Sequence, residues 1–387
     1  MESKKNKLVM GNLKECTIKY SYDDVMIKPA ILSSIEHRSE CNPFDENGML
    51  PIFTAPMDCV VNAKNFDLFK QNKIIPILPR TEPLEIRIDY ACNGYWAAFS
   101  LREFEDEFTK NEVLAINNGK ILIDIANGHI AKLYELVKKA KNIYKDNIQI
   151  MVGNIANPET YRICVESKVD FVRCSIGTGA GCISSSNLGV HYPIASLISE
   201  IHEIKNEYIR NGFDEDGITK IVADGGIRNY SDIIKAIGAL GADYVMVGSV
   251  FAKMLESAAP KTCNSDEWHN LPIGTEIKDL TDVHRERNAW YGTFNGKKIF
   301  LGDISTAFYG MASREGQIAL NGIKTKTSEG IKKRLSVEYT MSGWVENMID
   351  YLKSAMSYTD CRTIKEFCPN NVDCLIISEK TQKSINK

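Results

Sequence analysis

Cys182 stands in the string SIGTGAGCISSS, where glycines surround a thiol. A cysteine becomes a nucleophile only where its pKa is lowered and a ligand can reach it. A glycine-rich loop can bring a thiolate up to a flat ligand, and its bare carbonyls can ring a monovalent cation. The opposing reading is a small buried hydrophobe, the ordinary state of a cysteine in a core; the loop context favours the nucleophile. Two further strings, Asp224-Gly225-Gly226 and Gly248-Ser249, leave backbone N–H groups bare beside a helix start. Barrel enzymes hold phosphates in this way. Asp224 would repel a phosphate, so a sugar diol is its natural partner. Either string alone could be a tight turn and nothing more, but both at strand ends favour a phosphate.

The elements that must position these residues are legible as a repeat. Eight apolar runs of strand length begin at Leu50, Ile74, Tyr95, Lys120, Ile148, Phe171, Lys220 and Tyr244. Amphipathic stretches such as IAKLYELVKKAKNIY, PETYRICVESK and SDIIKAIGALG separate several of them. Continuous apolar strands alternating with such helices describe a parallel sheet covered on its outer face, and eight repeats close it into an α/β (β/α)8 TIM barrel. A doubly wound open sheet is the alternative, but GxGxxG after the first strand is absent. Residues 1–48 are expected to form an N-terminal extension packing on the barrel, and residues 49–376 the catalytic domain. Residues 260–300 form a polar insert after the eighth strand, read as a loop or small subdomain. Residues 305–330, rich in Gly, Ser and Thr, suit a mobile active-site flap. One helix is expected in WVENMIDYLKSAM, followed by a fraying tail over residues 377–387.

Composition narrows the function classes. With 387 residues, a net charge of −3 and 25% charged residues, the chain offers no sequence-wide basic surface to nucleic acid. No window approaches a membrane span and no leader is visible, so a cytoplasmic enzyme is expected. Eleven cysteines are scattered without CxxC pairs, which argues against a disulfide framework or a zinc site.

Taken together, YSYDDVMIKPA with HRSEC, APMDCV, DIANGH, VGNIANPE, SIGTGAGCIS, IVADGGIRNYSDIIKA, VMVGSVFA and FYGMAS followed by TSEG resemble the IMP dehydrogenase and GMP reductase family. The resemblance covers about residues 17–260 and 305–376. It implies a purine 5′-monophosphate substrate, a nicotinamide cofactor, a homotetramer and covalent attack by Cys182 on C2 of the purine. In the reductase direction, GMP and NADPH give IMP and ammonia through a thioimidate on Cys182. In the dehydrogenase direction, IMP and NAD give XMP. The flap between Ser313 and Glu329 lacks the Arg-Tyr pair with which dehydrogenases activate water, and DIANGH, HRSEC and PRTEP are similar to the bacterial reductase pattern. IMP dehydrogenase, or a nucleotide-binding regulatory protein without turnover, is the alternative.

By the same resemblance, Ser184 and Glu329 pass a proton to the leaving ammonia. Asp224, Gly225, Gly226, Gly248 and Ser249 hold ribose and phosphate, with Gly310, Met311 and Ala312 at the flap base and Ser328 and Gly330 beside the purine. Arg38, Arg80, Asp124, Ile125, Ala126, Ile176 and Gly177 fall where the family meets its dinucleotide; arginine suits the 2′-phosphate of NADPH, and a surface salt bridge is the competing reading for either arginine. Carbonyls of Gly177, Gly179 and Cys182 are the expected potassium ligands. Three positions depart from the family: Ser184 where threonine is usual, Gly181 where a bulky aliphatic residue is usual, and Ala180 where a polar residue is common.

Overall fold

A computed structural model of the chain describes residues 17–110, 115–179, 184–264, 273–287, 289–323, 327–328 and 330–385, with the Ser184 side chain excepted. Seven parallel strands are consecutive neighbours in the order Ile52–Thr54, Tyr244–Val247, Lys220–Asp224, Phe171–Cys174, Ile148–Ile155, Gly119–Asp124 and Ala97–Phe99. The run expected to be a strand from Ile74 is instead a short extended segment. It bridges the two edges through isolated parallel pairs, Phe53 with Ile75 and Leu78 with Ala97. Ile75 N donates to Ile52 O at 2.9 Å, and Leu78 N donates to Trp96 O at 2.9 Å. Pro76 and Pro79 have no N–H to give, which breaks the ladder into two contacts. The segment nonetheless fills the eighth place, and the sheet closes as a (β/α)8 barrel.

Alternation along each strand divides the core in two. Phe53, Leu122, Met151, Val222 and Met246 form one cluster with Trp96, Ala98 and Ile77. Their neighbours Ile52, Ile121, Ile123, Ile150, Ile221 and Val245 belong to the larger cluster, which includes the helices. Helix Ala131–Tyr144 contributes Leu133, Leu136, Val137 and Ala140 to that cluster, and Ile194–Arg210 contributes Leu197, Ile198, Ile201 and Ile204. Burial at intervals of three and four residues is what a helix lying on a sheet requires.

The segments outside the barrel are more ordered than their composition suggests. Strand Val25–Ile27 pairs antiparallel with Cys374–Ile376. The expected fraying tail carries a helix over Glu379–Ile385, tied back by Gln382 Nε2 donating to Asp24 Oδ1 at 2.7 Å. In the insert, Lys261–Cys263 joins Ile304–Tyr309 and Lys332–Ser336 in a three-stranded antiparallel sheet, while Thr281–Glu286, Ala289–Phe294 and Lys297–Phe300 form a second. Ile277, Ile299, Leu301, Ile304 and Val337 give this unit its own core. The flap region is a strand, Ile304–Tyr309, then a turn and the helix Arg314–Asn321, whose Ser313 hydroxyl accepts from Gly316 N at 3.1 Å. No helix among the described residues is long and apolar enough to cross a membrane.

Candidate active site

The C-terminal ends of the barrel strands open into a cavity of about 760 Å³. Asp124, Ile125 and Ala126 line it on one side, and Asp224, Gly225, Gly226, Gly248 and Ser249 on another. Gly310, Met311, Ala312 and Gly330 border it from the flap region, and Arg80, Ile176, Gly177 and Gly179 also line it. The chain reverses sharply as it leaves these strands, and glycine is needed where it does. Gly225 has φ +101°, and a Cβ there would stand 2.7 Å from Thr178 Oγ1. Gly226 has φ +75°, and the ring of Tyr22 from the N-terminal segment lies 3.4 Å from the position a Cβ would take. These backbones are therefore exposed to the cavity without intervening side chains, as an anion requires.

Between the two carboxylates lies a group that the reading of the sequence missed. Arg173, 7% exposed, donates through Nη1 to Asp124 Oδ1 at 2.6 Å. Its Nε and Nη2 reach Asp224 Oδ2 at 3.0 and 2.8 Å, and Asn154 Nδ2 reaches the same oxygen at 2.6 Å. Burial opposes the charge on Arg173, but Asp224 and Asp124 outweigh it and raise its pKa above the ordinary arginine value. The described contacts of Asp224 all fall on Oδ2, so Oδ1 remains for a ligand. A fixed carboxylate with one free oxygen suits a pair of hydroxyl donors. A charged residue inside the apolar run FVRCSI was the available signal, and Asn154 closes the run IQIMVGN.

The flap strand is fastened to the barrel beside the cavity. Tyr309 Oη donates to Asp58 Oδ2 at 2.9 Å, and burial raises the Asp58 pKa against the pull of that bond. The nearby Cys59 thiol is pushed up to about 12 by burial and is inert at neutral pH.

Other expected site residues lie elsewhere. Cys182 and Glu329 are outside the described residues, as is the Ser184 side chain; Ser184 opens the helix Ser184–Leu188. Ser328 does not line the cavity. Arg38 does not line this cavity: it is exposed, with Nη2 on Asp350 Oδ2 at 3.0 Å and Nη1 on Ser354 Oγ at 3.3 Å. Its guanidinium is used by the helix Met341–Tyr358, so within one chain it does not join Arg80. The Gly177 carbonyl accepts from Ser185 Oγ at 3.2 Å, which leaves one of its two lone pairs for another partner. Among the described residues no group of three His, Cys, Asp or Glu side chains is placed to hold a metal ion.

Comparison with known proteins agrees with this geometry. A sequence model described as IMP dehydrogenase / GMP reductase domain matches residues 95–270. A GMP reductase of Staphylococcus aureus is 31% identical over 296 residues, covering 73% of this chain and 84% of its own length. A GMP reductase of Caenorhabditis elegans is 28% identical over 248 residues, 64% of this chain and 56% of the relative. An inosine-5′-monophosphate dehydrogenase of Borreliella burgdorferi is 28% identical over 255 residues, 65% of this chain and 53% of the relative. With its barrel, its glycine turns and a relative matched along most of both lengths, the chain belongs to the IMP dehydrogenase / GMP reductase family of oxidoreductases.

Proposed function

We propose that the chain is a GMP reductase, converting GMP and NADPH to IMP and ammonia. The observation that carries this reading is the cavity itself, where the bare turns at Gly225-Gly226 and Gly248-Ser249 and the fixed carboxylate of Asp224 face the segment Asp124 to Ala126. Such a space accepts a phosphorylated sugar against one wall and a second flat ring against the other.

In this reading the backbone amides of Gly226, Gly248 and Ser249 hold the phosphate, and Asp224 Oδ1 accepts from the ribose hydroxyls. Arg173 and Asn154 keep that carboxylate from turning. The Cys182 thiolate attacks C2, a C–S bond forms, and the bond from C2 to the exocyclic nitrogen breaks. Ser184 and Glu329 deliver the proton that lets ammonia leave, and the thioimidate remains on Cys182. When bound, the nicotinamide supplies hydride to C2. The C–S bond then breaks and the thiolate returns, leaving IMP. No water is activated, in keeping with the absence of an Arg-Tyr pair between Ser313 and Glu329.

A dinucleotide carrying a further phosphate would meet Arg80 in this cavity. Among the described residues, Arg80 Nε is buried without a hydrogen-bond partner, and Nη1 makes a 3.5 Å contact with Asp124 O. A guanidinium held only by one long bond, in a cavity also lined by Ile125 and Ala126, suits the 2′-phosphate of NADPH. The carbonyls of Gly177, Gly179 and Cys182 are proposed as potassium ligands, since carbonyl oxygens suit a monovalent cation.

The test is Cys182→Ala, which should abolish turnover while GMP still binds, because the phosphate and ribose contacts lie on other residues. Turnover above a few per cent of wild type would overturn the covalent route.

A further inference from the structure

Four basic side chains line the cavity: Arg80, Arg173, Arg228 and Lys333. Charge balance separates them. Arg173 is neutralised by Asp124 and Asp224. Arg228 is held by Asp23, with Nη2 on Oδ1 at 2.6 Å, and by Asp232, with Nε on Oδ2 at 3.2 Å. Arg80 leans on the Asp124 carbonyl. The Lys333 side chain makes no ion pair or hydrogen bond with the described residues, although its backbone lies in a paired strand.

That placement follows from strand register. Lys332–Ser336 runs antiparallel to Ile304–Tyr309, and Lys333 lies directly opposite Phe308. Directly opposed residues share a face of the sheet, with their Cβ atoms about 4.5–5.5 Å apart. Phe308 is buried and lines the cavity, and its Cε2 lies 3.7 Å from where a Cβ on Gly248 would stand. Lys333 and Phe308 therefore project from the same face of the sheet, and both line the cavity that the Gly248-Ser249 turn also borders. Its neighbours Lys332 and Arg334 sit opposite Tyr309 and Ala307, and Arg334 Nη1 donates to Asn264 Oδ1 at 3.1 Å. Of these three consecutive cations, only Lys333 lines the cavity.

We propose that Lys333 contacts the 5′-phosphate of the purine nucleotide, supplying the positive charge that the glycine turns lack. This rests on the nucleotide reading above. Glycine amides recognise a phosphate by geometry, and the ammonium adds a point charge that distinguishes a nucleoside monophosphate from a nucleoside. The cation comes from the sheet that carries both ends of the flap region, Gly310 to Ala312 before it and Gly330 after it.

The experiment measures dissociation constants of the full chain for GMP, guanosine, inorganic phosphate and NADPH in wild type, Lys333→Met and Lys333→Arg. The methionine variant should weaken GMP about fivefold, the upper end for a partly solvated charged contact. It should weaken inorganic phosphate similarly and leave guanosine and NADPH unchanged, and the arginine variant should recover most of the loss. Equal weakening of GMP and guanosine would overturn the proposal, as would a loss confined to NADPH, which would assign the ammonium to the dinucleotide. Wild type that binds GMP with no change in Lys333→Met sinks this proposal alone. Wild type that binds inorganic phosphate through Lys333 but does not bind GMP supports the anion contact and sinks the nucleotide reading instead.

Discussion

Replacing Arg173 by methionine keeps most of the stem and removes the guanidinium that joins the two carboxylates of the cavity. The Asp124 and Asp224 side chains are only 15% and 14% exposed, and Arg173 makes three hydrogen bonds to them, through Nη1, Nε and Nη2. Truncating one partner of a buried ion pair costs about 3–5 kcal/mol, because the remaining charge is left uncompensated. Asn154 still donates to Asp224 at 2.6 Å, and the cavity opens to water, so the lower end applies, about 3 kcal/mol. Unfolding entropy of about 2.1 cal/mol/K per residue gives about 0.8 kcal/mol/K over 387 residues. The expected fall in Tm is therefore about 4 °C. Scanning calorimetry and urea titration of wild type, Arg173→Met, Asp124→Asn and the double variant form a cycle that isolates the pair. The double variant should be more stable than Arg173→Met, since one of the stranded charges is gone. A loss below about 1 kcal/mol, or no recovery in the double variant, would refute the view that Arg173 holds both walls of the site.

Asp224→Ala should weaken GMP by about 1–3 kcal/mol, the cost of a lost hydrogen bond to a buried partner, and calorimetric titration giving unchanged affinity would mean that its free oxygen meets no sugar. His129 predicts an acid-sensitive loop. Its Nε2 accepts from Ala156 N at 3.1 Å, so Nδ1 carries the proton and donates to Thr160 Oγ1 at 3.0 Å. The residue is exposed overall, but partial desolvation of its ring lowers the pKa below the ordinary 6.5, so the unfolded chain takes up the proton more readily than the folded one. This contribution is intact above about pH 6.5 and is lost as the pH falls from there towards the folded-state value. Urea midpoints of wild type should drop between about pH 7 and pH 5.5 more than those of His129→Gln, and equal drops would show that the histidine does not titrate in that window.

The barrel was legible because its strands are buried on both faces and read as apolar runs, while helices such as Ala131–Tyr144 keep a clear apolar stripe. The segment at residues 74–78 read as a full strand because apolarity does not report the missing donors of Pro76 and Pro79. The sequence left the insert open between a loop and a small subdomain, since Ile277, Ile299 and Leu301 are spaced too irregularly to show a period, yet they meet in one core. The tail helix has no apolar stripe of its own, and what fixes it, Gln382 on Asp24, spans almost the whole chain. The cavity lining was readable where bare glycines follow strands, as at Gly225 and Gly248. Arg173 was not, since a charge within a strand gains meaning only when Asp124 and Asp224 are seen on either side of it. The pairing of Arg38 with Asp350 was equally hidden, because Asp350 lies on a helix far along the chain and only the fold brings them together.

The measurement that bears most directly on the central claim follows reduced nicotinamide by absorbance while the full chain is given GMP with NADPH and, separately, IMP with NAD. The account predicts consumption of NADPH with release of IMP and ammonia in equal amounts, and no XMP from the second mixture. Steady XMP production from IMP would contradict it in favour of a dehydrogenase, and silence in both mixtures despite tight GMP binding would contradict it in favour of a regulatory nucleotide-binding protein.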